Sequence, residues 1–228
     1  MKNTVDLDFE TRSYADLKQV GTWAYSEHPT TDVICLCYDL NDGAGIQEWV
    51  PAWHGKACPA DLRQAIEDGY LFEAHKYDFE CSIWANVMVK KYGWLPIALE
   101  KWRDTMAAAC YYALPAALDR VSTVLGFEGK HADGGRLITK YSKLHLKTAK
   151  LEIPDEDLRK FVDYCRKDVA IEQSVSDFLG GLPPREHDAF ELDKMVNMRG
   201  LFLDLEGIEC AAKIVDQRSD ELRPTFRE

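Results

Sequence analysis

Three carboxylates recur at alternate positions near the start of the chain, Asp6, Asp8 and Glu10, interleaved with Val5, Leu7 and Phe9. Alternation with a period of two is the pattern of a half-buried strand. One face would enter an apolar core and the other would carry the three acids in a row. Like charges aligned on one face repel, and strands are poor in Asp and Glu. A divalent cation held by oxygen ligands is the usual way to offset such a cluster. The spacing alone decides nothing: with 39 acids in 228 residues, chance supplies roughly six or seven acid-x-acid pairs, and seven are present. What sets Asp8-x-Glu10 apart is its place on the first apolar strand, where a solvated face more often carries Thr, Lys or Ser.

Further acids stand on later elements. The stretch Glu73-Ala74-His75-Lys76-Tyr77-Asp78-Phe79-Glu80 reads as a strand passing into a helix, with a carboxylate near the helix start. The clearest helix is expected over Asp155–Leu179, after Pro154, with Asp155, Glu156 and Asp157 at its positive end and Gly180-Gly181 as the stop. Leu158, Phe161, Val162, Cys165 and Val169 form its buried stripe. At 100° per residue, Tyr164 and Asp168 lie one turn apart on one edge of that stripe. Carboxylates from three separated elements could converge on the sheet and hold two divalent cations about 4 Å apart, the arrangement that hydrolyses phosphodiesters. A tyrosine hydroxyl within reach would orient the attacking water.

The elements that must position these groups follow from the same patterning. Ser13–Gly21 reads as a short helix with Ser13 at its N-cap, and Trp23–Pro29 as a loop or short strand. Val33–Leu40 and Ile46–Val50 read as strands joined through Asn41-Asp42-Gly43, giving an antiparallel start with the acidic strand at an edge. Helices are expected over Pro59–Glu67, Asp78–Tyr92, Thr105–Tyr112 and Leu118–Leu125, and short strands over Tyr70–Ala74 and Trp102–Asp104. Strands alternating with helices after a hairpin indicate an α/β fold with a mixed sheet.

Composition sets the bounds. A chain of 228 residues, 46% hydrophobic and 29% charged, can bury a sizeable core as one large domain or as one domain plus an appendage. No apolar run approaches the roughly 18 residues of a membrane span, and no signal-peptide core is evident. Seven irregularly spaced cysteines suggest reduced thiols in a cytosolic setting. Cys35-x-Cys37 lies in an apolar run and reads as small hydrophobes, and the absence of a Cys-x-x-Cys pair argues against zinc. A net charge of −11 argues against a protein that coats nucleic acid non-specifically. Between Lys130 and Lys150, however, six Lys/Arg and two His face one acid, Asp133, a basic island suited to phosphate or simply to solvent.

Taken together the motifs resemble a known family. Asp8-Phe9-Glu10-Thr11, Ala74-His75 with Phe79-Glu80, and Tyr164-Cys165-Arg166-Lys167-Asp168-Val169 are similar to the three motifs of DnaQ-like 3′–5′ exonucleases, in the branch whose third motif is Tyr-x-x-x-Asp. Tyr25–Thr31, Lys91–Pro96 and Trp102–Met106 resemble the proofreading domain of phage-type family A DNA polymerases, so the likeness covers roughly residues 4 to 180 in order. The resemblance implies an RNase H-like fold and two divalent cations, Mg²⁺ or Mn²⁺, ligated by Asp8, Glu10, Glu80 and Asp168. It implies that Tyr164 positions water and that Thr11, His75 and Lys76 contact substrate. The implied activity removes nucleoside monophosphates from a single-stranded or frayed DNA 3′ end, in the cytoplasm of a bacterium or phage-infected host. Lys76 stands where the subgroup has Asn, and Lys76-Tyr77-Asp78 offers a second register with Asp78 as the ligand.

The expected exonuclease domain spans residues 1–182. Residues 183–228 read as a helical connector, Glu186–Met198 and Leu205–Arg218, around Arg199-Gly200-Leu201-Phe202-Leu203-Asp204, which resembles the lead into a family A polymerase body. A polymerase body, in cis or as a separate subunit, is the implied partner, with no membrane. Two alternatives stay open: a ribonuclease of the same fold, whose difference would lie in contacts to the 2′ position, and a catalytically weak domain that binds single strands or docks a polymerase.

Overall fold

A computed structural model of the chain describes residues 3–127 and 134–226; Lys130, His131 and Asp133 of the basic island lie outside the described residues. In chain order, β1 (Thr4–Arg12) leads to α1 (Leu17–Glu27), then to the hairpin of β2 (Asp32–Asp39) and β3 (Gln47–Trp49). The short α2 (Pro51–His54) and α3 (Ala60–Glu67) precede β4 (Leu71–Ala74) and α4 (Tyr77–Ile83). A π-helical stretch, Trp84–Val89, joins α4 to α5 (Lys90–Tyr92), which Gly93 ends in the left-handed region at φ 74°. Then come β5 (Trp102–Asp104), α6 (Thr105–Tyr111), α7 (Leu118–Leu125), α8 (Gly134–Leu137) and the long α9 (Asp155–Leu179). The chain ends on α10 (Pro184–Arg199) and α11 (Leu205–Leu222). It divides into two compact units, Met1–His187 and Asp188–Glu228.

The fold is mixed α/β. Five strands form one sheet in the order β3-β2-β1-β4-β5, antiparallel across β3, β2 and β1 and parallel across β1, β4 and β5. The acidic strand is therefore the centre of the sheet and not an edge. Its apolar face, Val5, Leu7 and Phe9, is buried. Phe9 and Phe72 pack on Trp84, with ring centroids 6.1 and 5.8 Å away, and Trp94 and Trp102 close the same cluster. Its acidic face is covered too, because α9 lies across β1 and β2. Phe161, Val162, Cys165 and Val169 of α9 meet Cys35 and Cys37 of β2 there in one apolar layer. The expected half-solvated strand is thus buried on both sides, with Asp6 3% and Glu10 8% exposed.

Local sequence placed most element ends. Pro154 precedes α9 and Gly180 caps it at φ 71°, while Asp104 caps α6 by accepting the Met106 N–H. The early helix differs from expectation. It starts after Asp16, which caps it, and runs through Glu27 with a kink at Gly21, φ 77°. Glycine tolerates that angle, so the residue expected to end the helix bends it instead. Ser13 is drawn into a bridge with Lys143, its N–H bonding the Ser142 carbonyl at 3.0 Å. The helix expected from Glu186 begins two residues earlier, at Pro184, whose missing N–H costs nothing at a helix start.

Candidate active site

The row of three acids on β1 does not act as a unit. Asp6 is satisfied by amides: Asn41 Nδ2 donates to its Oδ2 at 2.7 Å and Gln173 Nε2 at 3.2 Å. Asp8 and Glu10 lie further along, opposite Cys37 and Cys35 of β2, with a bulge between Glu10 and Thr11. The Cys165 thiol donates to the Asp8 carbonyl at 3.1 Å, and the Cys37 thiol to the Val162 carbonyl at 3.6 Å. Buried small thiols let α9 settle directly on β1. That contact sits one residue after Tyr164 and three before Asp168, both of which are buried.

Glu80 comes from the other direction, on the first turns of α4, and is 4% exposed. Its carboxyl is held well above the usual carboxylate range, first by burial and then by the charge of Asp8, with Asp78 and Asp104 adding to it. Its Oε2 meets no hydrogen-bond partner among the described residues. Burying a carboxylate beside other carboxylates is costly, and the shift is the mark of that cost. Asp78, the alternative in the second register, is half-buried and accepts the Thr22 hydroxyl at 3.1 Å. Asp8 and Glu80 thus act on one another, and α9, which carries Tyr164 and Asp168, meets the strand of Asp8 through Cys165. Among the described residues, no three His, Cys, Asp or Glu side chains are already gathered as a group that could hold a metal ion.

A cleft of about 340 Å³ opens beside Glu10 and Thr11, walled by Phe9, Tyr25, Phe79 and Ile138 and rimmed by Lys18, Lys143 and His145. The Thr11 and Tyr25 hydroxyls meet at 2.9 Å, and the Tyr25 and Phe79 rings lie 6.0 Å apart. Burial pushes the Tyr25 hydroxyl above its ordinary pKa, with Glu10 adding to the shift. Part of the basic island serves structure: Lys140 bonds Asp157 at 2.8 Å, which also takes the Tyr141 hydroxyl.

The two remaining expected site residues lie at the β4–α4 junction. Lys76 is exposed and left-handed, φ 75° and ψ 58°, with its N–H donating to Asp104 Oδ1 at 2.9 Å. Asparagine tolerates that conformation far better than lysine, so the Asn expected here answers a backbone demand. His75 bonds Thr105 and the Ala116 carbonyl. Sequence reasoning assigned no role to Asp104, Thr105 or Glu172. The signal for Glu172 was available, since it follows Asp168 by one helical turn.

No protein-family model matches the chain. It is 25% identical to the DNA polymerase of Bacillus phage SP02, in an alignment that covers 94% of the chain. The chain spans about a third, 34%, of that polymerase.

Proposed function

We propose that the chain is a metal-dependent 3′–5′ exodeoxyribonuclease of RNase H-like fold that serves a DNA polymerase. The observation that carries this reading is the charge of half-buried Asp8 acting on buried Glu80, whose Oε2 has no hydrogen-bond partner among the described residues, beneath α9, the helix of Tyr164 and Asp168, whose Cys165 thiol bonds the Asp8 carbonyl. The donor set is all carboxylate oxygen, which fits Mg²⁺ or Mn²⁺ and disfavours softer ions. Asp8, Glu10, Glu80 and Asp168 would hold two such ions, which supply an activated water and charge stabilisation at the leaving oxygen.

The chain's own residues account for the rest. The apolar, aromatic walls of the cleft beside Glu10 suit a terminal nucleoside, with Tyr25 and Phe79 offering ring faces to a base. Lys18 and Lys143 at its rim suit phosphates, while the overall negative charge limits contact with the rest of a duplex. Tyr164, buried beside the strand, orients the water, and the covered faces of β1 exclude bulk solvent. Similarity to a phage polymerase over one third of its length supports a polymerase body as partner and an infected or bacterial cytoplasm as setting. No described helix is long and apolar enough to cross a membrane.

The test is a gel assay on a 5′-labelled single-stranded DNA oligonucleotide with Mg²⁺, Mn²⁺ or EDTA, beside an Asp8→Ala/Glu10→Ala double variant and a matched RNA. A ladder shortening from the 3′ end of DNA, lost in EDTA and in the variant, is the expected result. A ladder on RNA alone would make the chain a ribonuclease. Binding without product from folded protein would leave a docking or single-strand-binding domain.

A further inference from the structure

Between Gly134 and Leu151 the chain has no acid, while Arg136, Lys140, Lys143, Lys147 and Lys150 supply cations. Ion pairing sorts the lysines. Lys140 is taken up by Asp157 at 2.8 Å, as Lys160 is by Glu156, Arg63 by Glu67 and Lys90 by Glu27. Lys143, Lys147 and Lys150 make no ion pair among the described residues. Three cations that the protein leaves unneutralised on one short segment suit an anion from outside it.

Backbone bonds fix that segment. The Leu144 N–H donates to the Ser13 carbonyl at 2.9 Å, Leu146 to Lys143 at 3.0 Å, Ala149 to Leu146 at 3.0 Å and Lys150 to Lys140 at 2.8 Å. Leu144 is buried and Leu146 lines the cleft beside Glu10. Their alternation leaves Lys143 half-buried at the cleft rim and His145 and Lys147 exposed. The start of α1 borders the same cleft through Ala15 and Leu17, and Val20, 45% exposed, carries apolar surface one turn further along. Asp16 in that border caps α1 through the Lys18 N–H at 3.0 Å and stands 3.8 Å from His145 Nε2. A cleft bordered both by apolar side chains and by unneutralised lysines matches a single polynucleotide strand, which offers unpaired bases on one side and phosphates on the other. A duplex stacks its bases out of reach, and an acidic protein surface would leave the apolar border unmatched.

We propose that Lys143, Lys147 and Lys150 form a phosphate track for the single strand upstream of the nucleotide in the cleft, with the bases of that strand turned toward Leu17 and Val20 of α1. The track rests on the nuclease reading only for which end of the strand enters the cleft. One nucleotide in the cleft and a phosphate for each lysine give a site of about four nucleotides, at the small end for single-strand sites.

Fluorescence anisotropy of labelled oligodeoxythymidylates, in EDTA so that nothing is cleaved and over a series of KCl concentrations, tests it. Each lysine–phosphate contact adds about 0.7 to the slope of log affinity against log salt. Lys147→Gln/Lys150→Gln should lower that slope by about 1.4 and weaken binding roughly 25-fold at about 0.1 M salt. Arg63→Gln/Lys90→Gln changes the net charge equally at two paired sites and should leave the slope alone. Val20→Ser should weaken binding at an unchanged slope, and should cost nothing on an oligonucleotide whose upstream positions are abasic. If the nuclease reading holds, Lys147→Gln/Lys150→Gln also raises KM for long oligonucleotides, with kcat and the turnover of a dinucleotide unchanged. An unchanged slope in folded Lys147→Gln/Lys150→Gln, an equal fall in the paired-site control, or no binding by wild type would overturn the track whatever the nuclease assay shows. A Val20→Ser loss that persists on the abasic strand would overturn the placement of the bases. The expected change of slope without any product, once metal is supplied, would uphold the track and sink the nuclease reading instead.

Discussion

Asp104 Oδ1 accepts two backbone N–H groups, from Lys76 at 2.9 Å and from Met106 at 2.8 Å, so one carboxylate caps α6 and holds the turn that begins α4. Lys76 pays for that anchorage by standing in the left-handed region, which costs a side chain with a Cβ about 1–2 kcal/mol. Lys76→Asn should recover about 1 kcal/mol of this. In urea titrations the midpoint is expected to rise; a lower midpoint would mean that the lysine stem contributes packing that outweighs the strain.

Asp104 also predicts a pH dependence. Burial first raises its pKa from 3.8 to about 6, against the opposing hydrogen bonds from the Lys76, Met106 and Ala107 backbone. A carboxyl whose pKa is higher folded than unfolded favours the folded state when protonated. That contribution is full below about pH 4 and is lost as pH rises to about 6. Asp104→Asn keeps the acceptor oxygen without the charge. Its stability relative to wild type, from urea curves at pH 4 and pH 7, should be more favourable at pH 7. An equal difference at the two pH values would show that the carboxylate is not penalised by its burial.

Glu80 should trade stability for function. Its buried carboxyl is pushed up by burial and by Asp8, so Glu80→Gln removes a repulsion and should raise the melting temperature of metal-free protein at pH 7–8. The same change should cut nuclease turnover by at least about a hundredfold, since even groups that support ligands are worth 10–100-fold. Added Mg²⁺ or Mn²⁺ should raise the wild-type melting temperature, by the equivalent of about 2.7 kcal/mol at a hundred times Kd, and should barely move Glu80→Gln. Equal metal-induced shifts in both proteins would place the cation elsewhere.

Gly134 is expected to matter through its neighbour. A Cβ there would stand 2.6 Å from Tyr164 Cδ2, 2.8 Å from Cζ and closer still to Cε2. Alanine would otherwise favour this helical position by about 1 kcal/mol. Gly134→Ala must instead displace the Tyr164 ring, and its nuclease rate should fall to the level of Tyr164→Phe, roughly a hundredfold below wild type on the scale of proton-handling groups. Unimpaired turnover in Gly134→Ala would show that the ring can shift without consequence, and would remove Tyr164 from the water-positioning role.

The sequence by itself determined the local elements of this protein. Alternation on Val5, Leu7 and Phe9 specified β1, the 3.6-residue stripe from Leu158 to Val169 specified α9, and Pro154 and Gly180 set its ends, because periodicity and capping are properties of neighbouring residues. It also singled out Asp8, Glu80, Tyr164 and Asp168 as groups to watch. Only the tertiary structure decided that β1 is central, that its acidic face is roofed by α9 through Cys165, and that Asp6 is quenched by Asn41 and Gln173. Strand order rests on pairings such as Thr4 with Leu71, and the roof on contacts such as Cys165 with Asp8, between segments far apart in the chain, and no local pattern encodes them. The same holds for Lys76. Its charge is plain in the sequence, but its left-handed backbone arises from the Asp104 anchor brought alongside by the pairing of β4 with β5.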